Sequence, residues 1–188
     1  MSTPLFPRVG VIGAGTMGNG IAQVFAAAGA EVLMVDANPE AGARGRATIE
    51  KSLGRLVKKE RLTEEAAAEV LGRVTLGTSV GDLSDQGLVV EAVVERKDVK
   101  CAVLAELDQH MPAATLLATN TSSISITELA AVTGRPEQVI GMHFMNPVPI
   151  MTLVEVIRGQ ETSDATTAAD RKSTRLNSSH ANISYAVF

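Results

Sequence analysis

Residues 9–38 read VGVIGAGTMGNGIAQVFAAAGAEVLMVDAN. The stretch opens on a short apolar run, Val9 to Ile12, of the kind that forms a buried parallel strand. Gly13, Gly15 and Gly18 follow in G-x-G-x-x-G spacing, and Met17, Ile21, Val24, Phe25 and Ala28 recur at helical intervals. Gly29 can end that helix, and a second apolar run, Val32 to Val35, stops at Asp36. The order is strand, glycine turn, helix, strand, acid. In that arrangement Gly13 permits a tight turn, Gly15 lets backbone approach a pyrophosphate, and Gly18 allows helix and strand to pack closely. The phosphates would rest on the free N–H groups at the start of the helix. Asp36 can accept hydrogen bonds from the adenosine ribose hydroxyls, and its charge would repel a 2′-phosphate, which favours NAD over NADP. Glycines that merely pack in another α/β protein are the alternative, and the register of strand, helix, strand and acid weighs against it.

The composition suits such a fold. The chain has 188 residues, of which 45% are hydrophobic and 20% charged, with 3% aromatic and no Trp, so its core must be aliphatic. One α/β domain is expected. No apolar run approaches the roughly 18 residues of a membrane span, and MSTPLFPR lacks the layout of a secretory signal. The single cysteine, Cys101, excludes an internal disulfide and offers no metal cluster. A cytoplasmic location fits, with no membrane partner. The net charge of −4 argues against nucleic acid as a partner.

Beyond Asp36, Asn38-Pro39 marks a helix start, and the helix is expected to run to about Lys59. Between Arg44 and Arg61 stand seven basic residues opposed only by Glu50 and Glu60. This local excess is a candidate seat for a phosphorylated partner, although a solvated helix face would look the same. Thr63 can cap a further helix ending before Gly72. Strands are expected at 74–76, 88–90, 115–118, 139–142 and 153–157, with helices at 97–110 and 126–132. The extension Glu91 to Glu95 should lie at the carboxyl edge of the sheet, where nucleotide sites form.

Two constellations follow strands. Asn120-Thr-Ser-Ser123 is a polar loop, and His143 leads into a segment stiffened by Pro147 and Pro149. A histidine suits removal of an alcohol proton while hydride leaves for nicotinamide. Such a base needs an orienting acid, and Glu155 on the next strand is the nearest candidate. Taken singly, a histidine is more often structural and a Ser/Thr loop more often only a turn.

Four segments together resemble one family, the NAD-dependent L-3-hydroxyacyl-CoA dehydrogenases of the 3-hydroxybutyryl-CoA type. They are GAGTMGNGIAQVFA, VVEAVVE, ATNTSSISIT and GMHFMNPVPIMTLVEVI, and the resemblance covers nearly all of residues 8–158. It implies a Rossmann-type doubly wound, mostly parallel sheet with flanking helices, and NAD as cofactor. It also implies an acyl-CoA substrate oxidised at C3 of the (S)-3-hydroxyacyl chain. By motif, His143 resembles the general base, Glu155 its orienting partner, and Ser122 the residue that hydrogen-bonds the substrate oxygen. Gly13, Gly15, Thr16, Met17, Gly18, Asp36, Glu95, Lys100, Asn120, Ser122 and Asn146 match cofactor-binding positions. Ser52 and Lys59, with Ser122, match positions that contact coenzyme A, which would give the basic cluster a purpose. A small-hydroxy-acid dehydrogenase and a non-catalytic, crystallin-like NAD binder are the alternatives. Loss of activity on removing the CoA moiety would exclude the first, and the joint presence of Ser122, His143 and Glu155 opposes the second.

Met145 stands where the family usually has Phe, at similar apolar volume. The family continues into a helical C-terminal domain that supplies dimerisation and a further active-site asparagine, and that domain is expected to be absent here. Residues 170–188, DRKSTRLNSSHANISYAVF, show no sustained period and resemble translated sequencing adapter. The expected division is therefore an NAD-binding domain over residues 1–169 and a non-native tail over 170–188.

Overall fold

The apolar run at the start of the glycine motif forms strand β1 (Arg8–Ile12), and helix α1 (Thr16–Ala27) and strand β2 (Glu31–Val35) follow it. In this computed structural model, residues 4–177 and 185–187 are described. Gly29, at φ +97°, turns the chain out of α1 as its position suggests. Helix α2 (Pro39–Lys58) starts as the sequence predicts, with Pro39 in its first turn and the Asn38 side chain accepting from the N–H of Glu40 at 2.9 Å. Helix α3 (Glu64–Gly72) is capped by Thr63, and strand β3 (Val74–Gly77) comes next.

The chain then crosses back over the sheet. Strand β4 (Leu88–Glu91), helix α4 (Lys97–His110), strand β5 (Leu116–Thr119), helix α5 (Ile126–Ala130) and strand β6 (Val139–Phe144) build the second half. Strand β7 (Val154–Arg158), helix α6 (Asp164–Asn177) and strand β8 (Tyr185–Val187) complete it. The strand order is β3-β2-β1-β4-β5-β6-β7-β8. β1 to β6 run parallel, β7 runs antiparallel to β6, and β8 is parallel to β7. The expected doubly wound, mostly parallel sheet is thus observed. Its order reverses between β1 and β4, and ligands of such sheets bind in the crevice at that point.

Alternation along the strands feeds two cores. Val9, Val11, Val32, Met34 and Val90 pack against Ile21 and Phe25 of α1 and Ile49 of α2. Ile12, Val35, Val89 and Leu117 pack against Leu104 and Leu107 of α4 and Leu129 of α5. Ile21 is wholly buried and Phe25 nearly so, each contributing about 1.5–3 kcal/mol. Cys101 is half-buried against the second core.

One expectation shifts. The sixth strand was expected to end at Met142, but it continues through His143 to Phe144 because β7 supplies hydrogen-bonding partners along its whole length. The expected boundary at Ala169 falls inside α6, where Thr166, Thr167 and Asp170 are buried. Helix periodicity was not evident over 170–177, where polar residues dominate. Residues 178–184 and 188 lie outside the described residues. Among the described residues no helix is long and apolar enough to cross a membrane, and no group of His, Cys, Asp and Glu could hold a metal ion.

Candidate active site

The loops leaving β1, β2, β4, β5 and β6, together with His143 in β6 and Glu155 in β7, carry most of the candidate residues at the carboxyl edge of the sheet. Gly13 has φ +95°, and a Cβ there would lie 2.6 Å from the Ala92 carbonyl oxygen. At Gly18 a Cβ would overlap the Gly13 carbonyl oxygen at 1.7 Å, so α1 rests directly on the turn. Gly15 is different: a Cβ there would meet nothing within 4 Å. Its bare face opens on free space, as the approach of a ligand requires. Gly15 caps α1 without a side-chain bond, and no acid stands in the first turn that Thr16, Met17 and Gly18 form. The leading N–H groups and positive dipole end of α1 are therefore available to an anion.

Asp36 leaves β2 and accepts from the backbone N–H groups of Ala14 and Asn38, each at 2.9 Å. These bonds hold its carboxylate beside the glycine turn. A pyrophosphate at α1 and a ribose diol at Asp36 fit these residues, so the donor set and the open Gly15 face suit NAD.

The second cluster is built from β4 to β7. Antiparallel register sets His143 directly opposite Glu155, and side chains so paired share one face. Glu155 Oε2 lies 2.8 Å from His143 Nδ1, and Ser122 Oγ lies 3.1 Å from His143 Nε2. A carboxylate can only accept, so Nδ1 carries a proton, and in the neutral imidazole Nε2 faces the Ser122 hydroxyl with its lone pair. Asn120 is buried, and its Oδ1 accepts from the Phe144 N–H at 2.8 Å, binding the β5 loop to β6 beside His143. Phe144 in turn meets Phe25 of α1 edge-on, with centroids 6.2 Å apart. The segment after β6 also touches α1, where Val148 fills the space a Cβ on Gly20 would need. The His143 cluster and the glycine turn thus share one helix as a wall. Asn146, whose peptide bond to Pro147 is cis, is exposed beside them.

Glu95 gathers the Ser122 loop. Its Oε1 accepts from the Thr121 hydroxyl and from the N–H groups of Ser122 at 2.8 Å and Ser123 at 3.3 Å. Partial burial pushes its carboxyl up, but these donors and the Lys100 ammonium outweigh that and hold it below the ordinary value. Lys100, which matches a cofactor-binding position, is buried behind Glu95. Its side chain is 1% exposed, and its ammonium lies 2.8 Å from Glu91 Oε1 and 3.2 Å from Glu95 Oε2.

Two site residues were not foreseen. Thr121 braces Glu95, and Glu91 is a fully buried carboxylate receiving Lys100, the Thr119 hydroxyl at 2.6 Å and the Val93 N–H at 2.7 Å. The signal for Glu91 was a carboxylate inside the apolar run VVEAVV with a lysine nine residues later. Ser52 lies half-buried on α2, and Lys59 is exposed at its end. The structure makes no hydrogen bond between either residue and the His143 cluster. In the basic stretch Arg44 pairs with Glu40, and Arg46 turns inward toward the Leu71 and Val74 carbonyls. Among the described residues Lys51, Arg55, Lys58, Lys59 and Arg61 are exposed without an ion pair.

The profile of the 3-hydroxyacyl-CoA dehydrogenase NAD binding domain matches residues 8–176. The chain belongs to this family. This NAD-binding domain is 54% identical over 159 residues to a probable 3-hydroxybutyryl-CoA dehydrogenase of Deinococcus radiodurans, covering 85% of the chain and 57% of the relative. It is 49% identical over 165 residues to the 3-hydroxybutyryl-CoA dehydrogenase of Bradyrhizobium diazoefficiens, covering 88% and 56%. The crystal structure of (S)-3-hydroxybutyryl-CoA dehydrogenase from Ralstonia eutropha superposes with a TM-score of 0.92 at 47% identity, covering 96% of this chain and 64% of that one. The domain thus spans little more than half the length of the curated relatives it matches.

Proposed function

We propose that the chain supplies the cofactor site and the proton-transfer residues of an NAD-dependent dehydrogenase that interconverts (S)-3-hydroxybutyryl-CoA and acetoacetyl-CoA. The observation that carries this reading is the array Glu155–His143–Ser122, with contacts of 2.8 and 3.1 Å, at the same edge of the sheet as the glycine turn. NAD, when bound, supplies the hydride acceptor. His143 Nε2 takes the proton of the 3-hydroxyl group as the C3 hydrogen departs. Glu155 fixes the Nδ1–H tautomer and stabilises the imidazolium that forms, as an orienting acid does for any imidazole base. The Ser122 hydroxyl, beside Nε2, donates to the same substrate oxygen and holds it over the imidazole. Asn120 and Asn146 border the nicotinamide end, and Asp36 the adenosine end.

Coenzyme A is the substrate handle in this reading, and the unpaired cations near the end of α2 support it. Their charge can neutralise its pyrophosphate and 3′-phosphate, with Ser52 and Lys59 as contacts. The cytoplasmic location expected from the cysteine content goes with this reading.

Calorimetric titration with NADH, followed by acetoacetyl-CoA, tests the proposal. NADH should bind wild type and His143→Ala alike. In a full-length protein carrying this domain, acetoacetyl-CoA-dependent NADH oxidation should fall by orders of magnitude in His143→Ala. Near-normal oxidation by that variant removes His143 as the base, and a folded sample that does not bind NADH removes the dehydrogenase reading.

A further inference from the structure

Outside the proton-transfer array, a buried ion pair of Glu91 and Lys100 adjoins Glu95. Glu91 and Lys100 are 0% and 1% exposed, whereas Glu95 is 40% exposed and stands at the rim of the site. Lysine is seldom buried so completely without a structural demand on its position. Here the demand has a direction. Glu91 lies at the end of β4, where the Thr119 hydroxyl of β5 and the Val93 N–H hold its carboxylate in place. Lys100, one turn into α4, bridges that carboxylate to Glu95. Glu95 then takes the N–H groups of Ser122 and Ser123 and the Thr121 hydroxyl. The last member of the series, Ser122, meets His143 Nε2.

We infer that Glu91 and Lys100 are positioning residues: a buried relay that aims Glu95 at the 121–123 loop and so sets the Ser122 hydroxyl against His143. The inference rests on the dehydrogenase reading for its consequence, but not for its geometry. Ser122 itself is exposed and sits in a loop. Charge-assisted bonds are stronger and more directional than neutral ones, so a lysine locked between two carboxylates transmits a fixed position where a neutral side chain would leave Glu95 free to turn. Depth protects the relay as well, because a pair this buried is little screened by salt.

Removing one member of a buried pair strands the other, which can unfold a protein for unrelated reasons. The informative variant therefore removes both charges. In Glu91→Gln/Lys100→Met the glutamine oxygen can still accept from the Val93 N–H while its amide group donates to the Thr119 hydroxyl oxygen, and the methionine keeps most of the lysine volume. The chain is labelled with 15N and studied without cofactor or substrate, so that the outcome is independent of turnover. Two signals are read: the Nε2 resonance of His143, and the exchange rate of the Ser122 amide.

Ser122→Ala defines the resonance change caused by losing the hydroxyl. The paired variant should move Nε2 in the same direction by at least half as much, and combining it with Ser122→Ala should add nothing further. The Ser122 amide should exchange about tenfold faster as its carboxylate acceptor loosens, while amides in β1 and β2 keep their rates. An unmoved Nε2 resonance in the folded paired variant overturns the relay, and so does an unmoved resonance in Ser122→Ala. If the paired variant does not fold, Glu95→Gln takes its place: it keeps an acceptor for Ser122 but drops the attraction of Lys100, and the same two signals decide. Failure of wild type to bind NADH sinks the dehydrogenase reading separately and leaves the relay standing.

Discussion

At the scale of single residues, the three motif glycines do different work although they look alike in sequence. Gly18→Ala would force a methyl group into the Gly13 carbonyl oxygen, which is backbone and cannot move aside. We expect a loss of at least about 3 kcal/mol, read as a large drop in thermal midpoint. Gly15→Ala meets empty space and should cost about 1 kcal/mol or less, chiefly through poorer capping. It should nonetheless weaken NADH binding, because the methyl group occupies the space left for the pyrophosphate. Titration and thermal melting of the two variants separate the roles. At Asp36, substitution by Ala should narrow the preference for NADH over NADPH, and an unchanged preference would reject its assignment. It should also free the Ala14 N–H, so some loss of affinity for both cofactors is expected. The motif residues and Asp36 were legible in the sequence because the turn chemistry is local. The burial of Lys100 was not, since nothing in its neighbours distinguishes a buried lysine on α4 from an exposed one.

At the scale of elements, the site depends on a loop held by a carboxylate. The folded state depresses the Glu95 carboxyl below its ordinary value. The sign follows from linkage: a depressed acid contributes stability that is present above its ordinary value and lost as pH falls through the depressed one. The 121–123 loop should therefore loosen on acidification below about pH 4, before the sheet does. Exchange of the Ser122 and Ser123 amides, followed downward in pH beside amides of β5, should show the loop opening first. Simultaneous opening would detach the loop from Glu95. Helix starts were well marked in the sequence by Asn38-Pro39 and Thr63, each a cap with its own local hydrogen bond. Strand ends were less legible. β6 continues through His143 only because β7 lies alongside, and partners come from elsewhere in the chain.

For the whole molecule, the docking of α6 matters most, since the expected domain boundary lies within it. Asp170 is buried, and desolvation pushes its carboxyl up to about 8. The folded state then holds a proton that an unfolded chain releases near pH 4. Stability from this group is complete below that value and is lost as pH rises through about 8. Asp170→Asn should flatten that decline, giving a higher thermal midpoint than wild type at pH 8 and little difference at pH 4. Equal midpoints at both would place Asp170 in water and α6 off the sheet. The sequence by itself determined the architecture: apolar runs, helical spacing and the glycine turn act within a few residues, where sterics and hydrogen bonds are set by near neighbours. The tertiary structure alone decided the working geometry. Antiparallel pairing of β6 with β7 put Glu155 across from His143, and burial of Glu91 with Lys100 made a relay of two ordinary charges. Register and burial are properties of segments brought together from distant parts of the chain, and no local pattern encodes them.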